Sequence, residues 1–85
     1  MKAGREEAIR RMLRTHARLS RDVANIARRD DLYEAGMTSH ASVNVMLGLE
    51  EAFGIEFPDS MLNRAMFSSI DAIDAALAKL NAEPA

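Results

Sequence analysis

Apolar residues recur every three or four positions in three separate stretches of this chain, which is the spacing that lines one side of an α-helix. The first stretch predicts a helix over Arg5–Leu19, and the second predicts a helix over Ser39–Phe53 that ends at Gly54. A last helix begins after Ser68 or Ser69, since either hydroxyl suits a helix N-cap. The first and last helices have buried stripes that consist of Ile9, Met12, Leu13, His16, Leu19, Ile70, Ile73, Leu77 and Leu80.

A long connection with weak periodicity separates the first two helices. Residues 20–37 are predicted to form a loop with one helical turn at Asp22–Ala27. A connection of this length in a compact domain is usually functional or held by its own anchors. Leu32 and Tyr33 are expected to return it to the core.

A turn and a short third helix precede the last helix. Ile55 and Phe57 are apolar residues of that turn, and Asp59 suits the N-cap of the short helix. Asp71, three residues after Ser68, indicates a capping box for the last helix. The whole pattern predicts an all-α fold, a small four-helix bundle with a long loop between helices one and two and a short third helix.

The second predicted helix is apolar almost all round, and two faces can be separated on it. One face is expected to be core and consists of Ser42, Val45, Met46, Leu49, Ala52 and Phe53. The other face mixes apolar residues with carboxylates and consists of His40, Val43, Asn44, Leu47, Glu50 and Glu51. Either the first helix covers Val43 and Leu47, or this second face is kept for a partner.

Composition bounds the domain and its chemistry. With 85 residues, 48% of them hydrophobic, residues 1–85 are expected to form a single domain with a frayed tail at 81–85. The absence of cysteine excludes disulfides, thiolate metal sites and a cysteine nucleophile. No apolar run reaches the roughly 20 residues of a membrane span, and the charged start does not resemble a signal peptide. These features predict a cytoplasmic protein with no membrane partner.

Charge is distributed unevenly, although the net charge is only −2. Residues 1–29 carry nine Lys or Arg against three Asp or Glu, a balance of +6, whereas residues 30–85 carry two against ten, a balance of −8. The first helix could present a basic surface to nucleic acid, or simply a solvated face, through Arg5, Arg10, Arg11, Arg14 and Arg18. No aromatic residues or second basic element accompany them, so the solvated face is favoured and no nucleic-acid partner is expected.

Few residues suit enzymatic chemistry. Neither His16 nor His40 has a carboxylate or cysteine at metal-ligand spacing, and the adjacent Glu50 and Glu51 point to different sides of a helix. No metal motif, catalytic triad order or glycine-rich phosphate loop is present. The chain is therefore predicted to be no enzyme and to hold no metal ion. Ser39 is either a plain helix N-cap or an exposed hydroxyl at a helix start, where a covalently attached phosphate would be electrostatically favoured.

About the final two thirds of the chain resembles the acyl carrier protein family in register. The residues that carry the resemblance are Leu32-Tyr33-Glu34-Ala35-Gly36-Met37-Thr38-Ser39, then Val43, Met46, Leu47, Leu49, Glu50, Glu51, Phe53, Ile55, Phe57, Pro58, Asp59, Ser69 and Ile70. The resemblance implies an acyl-carrier-protein-like bundle in which a phosphopantetheinyl transferase uses coenzyme A to attach 4′-phosphopantetheine to Ser39. It also implies that the thiol of this arm holds the cargo as a thioester, which agrees with a chain that has no cysteine.

The neighbours of Ser39 depart from the usual family motif Gly-x-Asp-Ser-Leu, because Thr38 replaces the aspartate and His40 the leucine. A narrower group, the bacterial aminoacyl carrier proteins, is similar over Tyr33-Glu34-Ala35-Gly36, Ala41-Ser42-Val43, Met46-Leu47-Gly48, Phe57-Pro58-Asp59 and Leu62-Asn63-Arg64. This similarity implies that an amino acid:carrier protein ligase, homologous to seryl-tRNA synthetase, loads a small activated amino acid onto the arm.

Other functions stay open at this point. Within the family, the alternative is an acyl carrier protein for specialised fatty-acid or polyketide synthesis, served by acyl-transferring enzymes. Outside it, the alternatives are a nucleic-acid or interaction module that uses the arginine helix, and a carrier fold that is never modified. For a carrier, we expect a monomer that presents to its partners the face made of His40, Val43, Asn44, Leu47, Glu50 and Glu51.

Overall fold

The computed structural model describes residues 4–80, and these residues fold as helices joined by loops, with no strand among them. The three α-helices are α1 (Gly4–His16), α2 (Ser39–Phe53) and α3 (Ile70–Lys79). Three short 3-10 segments accompany them, at Val23–Asn25, Asp59–Met61 and Arg64–Phe67. The all-α prediction is confirmed, whereas the frayed tail predicted at 81–85 lies outside the described residues.

Helix α1 ends at His16, earlier than the predicted end at Leu19. Arg18 adopts a left-handed backbone conformation with φ of 51°, which stops the helical hydrogen-bond ladder. The apolar spacing nevertheless continues past this break, and Leu19 still packs against the core. Periodicity alone therefore overestimated the length of α1.

Helix α2 has the predicted bounds, because both of its ends carry clear local signals. Gly54 follows Phe53 with φ of 65°, the left-handed conformation that glycine adopts without a Cβ penalty. The side chain of Thr38 caps the other end. One face of α2 packs into the core through Val45, Leu49 and Phe53.

A single hydrophobic core joins the three helices and the long loop. Its most completely buried side chains are Ile9, Leu13, Ile26, Leu32, Val45, Leu49, Ile70, Ile73 and Leu77. Gly48 permits the close approach of α1 to α2, since a Cβ there would lie 2.6 Å from Sδ of Met12 and 3.1 Å from the ring of His16. The buried stripes predicted for α1 and α3 are confirmed for Ile9, Leu13, Ile70, Ile73 and Leu77, and Met12, Leu19 and Leu80 pack against the core partly buried. His16, the remaining predicted member, is only half-buried.

The long loop is held in place at several points. Leu32 and Tyr33 return it to the core, as predicted. Asp22 caps the 3-10 turn at Val23–Asn25, and Leu32 is fully buried. The backbone N–H of Leu32 donates to the carbonyl of Ser68 at 2.7 Å, and that of Asp71 donates to the carbonyl of Arg28 at 2.9 Å. The loop is therefore tied to the start of α3.

Arg28 adds a network of ion pairs to this connection. Its guanidinium donates to Asp71 at 2.8 Å, to Asp74 at 2.9 Å and to Glu6 at 2.8 Å. Asp74 also accepts from Arg5 at 2.7 Å. The hydrogen bond to Asp71, then those to Asp74 and Glu6, raise the pKa of Arg28 above its ordinary value. The network joins α1, the loop and α3.

The short third helix is present as two 3-10 segments rather than as one α-helix. Asp59 is the first residue of the segment Asp59–Met61 and not its cap, so that capping prediction is wrong. Asn63 starts the second segment, Arg64–Phe67, by accepting from the N–H of Met66 at 2.9 Å. Leu62 and Asn63 separate the two segments, so no continuous α-helix forms here.

The capping box predicted for α3 is also absent. Ser69 is the N-cap and accepts from the N–H of Ala72 at 3.0 Å, while Ser68 donates its hydroxyl to the carbonyl of Ala65 at 2.7 Å. Asp71 pairs with Arg28 instead of reaching back to the cap. None of the helices within residues 4–80 has the length and apolarity needed to cross a membrane.

Candidate functional site

The start of α2 places a serine hydroxyl at the surface. Thr38 is the N-cap, with an extended backbone at φ −89° and ψ 166°, and its Oγ1 accepts from the N–H of Ala41 at 3.0 Å. Ser39 is the first helical residue and its side chain is exposed. The reading of Ser39 as the N-cap is therefore wrong. Because Thr38 performs the capping, the hydroxyl of Ser39 is not needed to satisfy the helix end.

The six serines of the chain differ in how their hydroxyls are used. Four take part in hydrogen bonds within the fold, namely Ser20, Ser42, Ser68 and Ser69. Among residues 4–80, the hydroxyls of Ser39 and Ser60 have no such partner, and both residues are exposed. Of these two, Ser39 alone starts an α-helix, whereas Ser60 lies inside a 3-10 segment.

Ser39 opens onto an apolar groove of about 470 Å³ between α2 and the connection to α3. The groove is lined by Tyr33, Ser39, Ser42, Val43, Met46, Leu62, Asn63, Arg64 and Phe67. Arg64 is the single charged residue in this set. The sequence did not predict this groove, because its lining residues come from three separate parts of the chain, namely the long loop, α2 and the connection to α3.

The second face of α2 is exposed at its apolar centre. Val43 is 48% exposed and Leu47 is 53% exposed, so the alternative in which α1 covers them is wrong. His40 and Glu51 are exposed as well, while Asn44 and Glu50 are half-buried. Val43 and Leu47 are the large apolar side chains that are exposed within the described part of the chain. A hydrophobic pair one helical turn apart is thus open to solvent.

The first face of α2 is less completely buried than predicted. Ser42, Met46 and Ala52 are only half-buried, and the groove runs along Ser42 and Met46. Ala41, which was not assigned to the core, is buried. The helix therefore divides into a buried strip, a strip along the groove and an exposed strip.

Glu50 has a structural contact in addition to its place on the second face. One carboxylate oxygen accepts from the backbone N–H of Phe57 at 2.9 Å. The carbonyl of Glu50 also accepts from the N–H of Ile55 at 3.1 Å. Phe57 is buried and Ile55 packs against the core, so Glu50 fixes the turn that follows α2.

The arginines of α1 divide into two groups. Arg5 pairs with Asp74, and Arg10 donates to the carbonyls of Val23 and Ile26 at 2.8 and 2.9 Å. Arg5 thus ties α1 to α3 and Arg10 ties α1 to the loop, so neither side chain is part of an open basic surface. Arg11 and Arg14 are the exposed arginines of α1, and Arg18, which lies beyond the end of α1, is also exposed. Because Arg5 and Arg10 are engaged in contacts within the fold, α1 offers a smaller basic surface than its sequence suggests.

The two histidines, distant in sequence, border one shallow cleft of about 350 Å³. This cleft also contains Thr38, Asn44 and Arg18. Within residues 4–80, however, no three histidine, aspartate or glutamate side chains come together as metal ligands do. The cleft lies beside the start of α2 and belongs to the surroundings of Ser39.

Comparison with known proteins shows which family has this helical fold. The family described as the phosphopantetheine attachment site matches residues 7–77. An aminoacyl carrier protein of Agrobacterium fabrum is 54% identical over 66 residues, which cover 78% of this chain and 80% of the relative. This chain belongs to the aminoacyl carrier protein family. The family's covalent cofactor is 4′-phosphopantetheine.

Solved structures of carrier proteins share this fold. A carrier protein from Agrobacterium tumefaciens, crystallised with an engineered Bradyrhizobium japonicum glycine:[carrier protein] ligase and AMP, is 49% identical with a TM-score of 0.84. The alignment covers 86% of this chain and 97% of that one. A glycylated carrier protein, in complex with the Bradyrhizobium japonicum ligase, is 26% identical with a TM-score of 0.68, over 85% and 96% of the two chains.

The residues around Ser39 fit a serine-linked arm. An exposed hydroxyl without an internal partner can be esterified without breaking a contact of the fold. The groove beside it, of about 470 Å³, has room for part of a flexible chain, and its lining is apolar except for a few polar groups. The arm's phosphate would also meet the unpaired N–H groups of the first turn of α2, which carries no acidic residue.

Proposed function

We propose that this chain carries a small activated amino acid as a thioester on a 4′-phosphopantetheine arm attached to Oγ of Ser39. The observation that carries the proposal is that two neighbouring hydroxyl residues at the start of α2 have different roles. Thr38 caps the helix, which leaves the hydroxyl of Ser39 exposed and unpaired within the described residues. The matched family and the similarity to an aminoacyl carrier protein support the nature of the arm and of the cargo.

The chemistry asked of the chain itself is small. Oγ of Ser39 bonds to the coenzyme A phosphorus that bears the pantetheine. The pyrophosphate bridge of coenzyme A breaks, adenosine 3′,5′-bisphosphate leaves, and the hydroxyl proton passes to the phosphopantetheinyl transferase. When attached, the arm supplies a terminal thiol that holds an acyl group as a thioester. The chain has no cysteine, so no second thiol of its own competes for the activated cargo. An amino acid carries an ammonium group, which gains little from an apolar groove, so we expect the cargo to stay in solvent.

We propose that the amino acid:carrier protein ligase and the transferase bind the second face of α2. This face consists of His40, Val43, Asn44, Leu47, Glu50 and Glu51. Exposed Val43 and Leu47 follow Ser39 at one and two helical turns, so a partner that covers them lies next to the attachment point. The related Agrobacterium tumefaciens carrier protein was crystallised with a glycine:[carrier protein] ligase, which supports this class of partner.

The remaining parts of the proposal concern the protein as a whole. We propose that residues 1–85 form one carrier domain, that it works as a monomer in the cytoplasm, and that it catalyses no reaction. One continuous core across α1, α2 and α3 supports the single domain. The active roles then fall to the transferase and the ligase, and this chain is their shared substrate.

Intact-mass measurement tests the attachment site. We would co-express the chain with a broad-specificity phosphopantetheinyl transferase and compare the wild type with Ser39→Ala and Ser60→Ala. Ser60 is the matched control, because its hydroxyl is also exposed and unpaired within residues 4–80. The wild type and Ser60→Ala should gain the mass of one arm, and Ser39→Ala should gain none. An unmodified wild type, or an equal gain on Ser39→Ala, contradicts the proposal.

A further inference from the structure

Tyr33 and Arg64 hold each other at the edge of the groove. The guanidinium carbon of Arg64 lies 3.8 Å from the centroid of the Tyr33 ring, which is a cation–π contact. The hydroxyl of Tyr33 donates to the backbone carbonyl of Arg64 at 3.2 Å. Both the side chain and the backbone of Arg64 are thus fixed by one tyrosine.

The backbone on either side of Arg64 is fixed as well. Asn63 accepts from the N–H of Met66, and Arg64 is the first residue of the 3-10 segment Arg64–Phe67 that this cap begins. Met66 and Phe67 are buried, and the ring of Phe67 packs edge-on against Phe57 at 6.5 Å between centroids. Arg64 therefore starts from a rigid support rather than from a flexible loop.

The charge of Arg64 has no carboxylate partner within the described residues. The ion pairs of residues 4–80 involve Arg5, Arg10, Arg21 and Arg28. Arg64 instead uses the face of its guanidinium on Tyr33, which leaves the N–H groups at the edge available as donors. An exposed arginine with unused donors at the rim of an apolar groove is suited to a phosphate oxygen.

We infer that Arg64, stacked on Tyr33, is a positioning residue that pairs with the phosphodiester of the arm on Ser39. The inference rests on the proposed function, because it requires the arm to be attached at that residue. Ser39 and Arg64 line the same groove, one on α2 and the other on the connection to α3. The planar guanidinium fork matches two oxygens of one phosphate, a geometry that a lysine ammonium does not offer.

The pairing sets the direction in which the arm leaves Ser39. A phosphodiester held towards Arg64 turns the first bonds of the arm along the groove, which Val43 also lines, and away from exposed Leu47, which does not line it. Because Arg64 is exposed, we expect the interaction to be weak and sensitive to salt. Its effect is to bias the orientation of the arm and not to bind it permanently.

NMR of the protein with its arm attached tests this inference. We would record the ³¹P resonance of the phosphodiester and the Nε–Hε resonance of Arg64, in the modified and the unmodified chain. Modification should shift the Arg64 resonance. The change Arg64→Gln should move the ³¹P resonance towards that of a free pantetheine phosphodiester, and Arg64→Lys should move it less. In about 1 M salt, where the Debye length is ~3 Å, the difference between wild type and Arg64→Gln should shrink.

The controls separate this inference from the proposed function. Arg11→Gln removes an exposed arginine that does not line the groove and should leave the ³¹P resonance unchanged. If intact mass shows no arm on Ser39, the proposed function fails. If the arm is present but the ³¹P resonance is the same in the wild type and Arg64→Gln, and the Arg64 resonance ignores modification, then Arg64 does not position the arm.

Discussion

Helices α2 and α3 begin with the same kind of local sequence, a hydroxyl residue followed by a serine, yet they use these hydroxyls differently. At α3, the second residue, Ser69, caps the helix, and the first, Ser68, donates to the carbonyl of Ala65. At α2, the first residue, Thr38, caps the helix, and Ser39 becomes its first helical residue. A shift of the cap by one position thus turns a structural serine into an available one.

The surroundings of the two helix starts differ in the same sense. The start of α3 is held by two backbone hydrogen bonds with the long loop, one donated by Leu32 and one accepted by Arg28, and by the ion pair of Arg28 with Asp71. The start of α2 has no acidic residue in its first turn and opens onto the groove. One helix start is therefore built for stability, and the other keeps its hydroxyl accessible. The following predictions test this contrast.

The largest effect on stability is expected at the start of α3. Arg28→Ala should lower the free energy of unfolding by about 1–2 kcal/mol, since three ion pairs of partly exposed groups are lost together. Urea denaturation would measure this change. Arg29→Ala is the matched control, because Arg29 is an exposed neighbour outside the network, and it should stay within about 0.5 kcal/mol of the wild type. Equal effects of the two changes would show that the network is not stabilising.

Acid should weaken the same network. Hydrogen bonds from Arg28 and Arg10 lower the pKa of Glu6. Burial by itself raises the pKa of Asp74, but hydrogen bonds from Arg28 and Arg5 lower it overall. A carboxyl pKa that is lower in the folded state gives stability that is present near neutral pH and is lost as the pH falls through the folded-state pKa.

We therefore expect the free energy of unfolding of the wild type to fall between about pH 5 and pH 2. The Arg28→Ala variant should show a flatter profile, because two carboxylates have lost their strongest partner. Urea denaturation at a series of pH values would measure both profiles. Parallel profiles for the two proteins would contradict this role of Arg28.

The two caps should contribute equally, although they occupy different positions. Thr38→Ala and Ser69→Ala should each cost about 1 kcal/mol, since each removes one side-chain acceptor from a helix N-terminus. Thermal or urea unfolding would compare them with the wild type. A loss at Ser69 and none at Thr38 would mean that another group, such as Ser39, caps α2.

The smallest effect on stability is expected at Ser39. Ser39→Ala should change the free energy of unfolding by less than about 0.5 kcal/mol, because no hydrogen bond of its side chain is lost within the described residues. The pair Ser39→Ala and Thr38→Ala is thus a direct contrast between neighbours. A destabilisation by Ser39→Ala as large as that of Thr38→Ala would assign Ser39 a structural role.

Local sequence signals predicted the parts of the fold that local physics decides. The bounds of α2 follow from Gly54 at one end and a hydroxyl residue at the other. Which hydroxyl forms the cap was not decided by these signals, because Thr38 and Ser39 both suit the position. The end of α1 was predicted too late, because Arg18 adopts the left-handed conformation that usually belongs to glycine, and the sequence has no glycine there to indicate it.

Long-range contacts account for the rest. Arg28 meets Asp71 and Asp74 across 43 and 46 residues of chain, and no spacing rule connects them. The groove was missed for the same reason, because Tyr33 and Arg64 come together only in the folded chain. The exposure of Val43 and Leu47 was one of two stated alternatives, and the packing of α1 decides between them.

Loading of the modified chain tests the central claim most directly. We would incubate the chain bearing its arm with ATP, a glycine:[carrier protein] ligase of the kind crystallised with the related carrier proteins, and single amino acids or fatty acids. Intact mass should increase by one amino acid residue, and hydroxylamine should reverse the gain, as expected of a thioester. Ser39→Ala should show no gain. A gain from fatty acids alone, or amino-acid loading that persists in Ser39→Ala, would contradict the claim that Ser39 carries an aminoacyl arm.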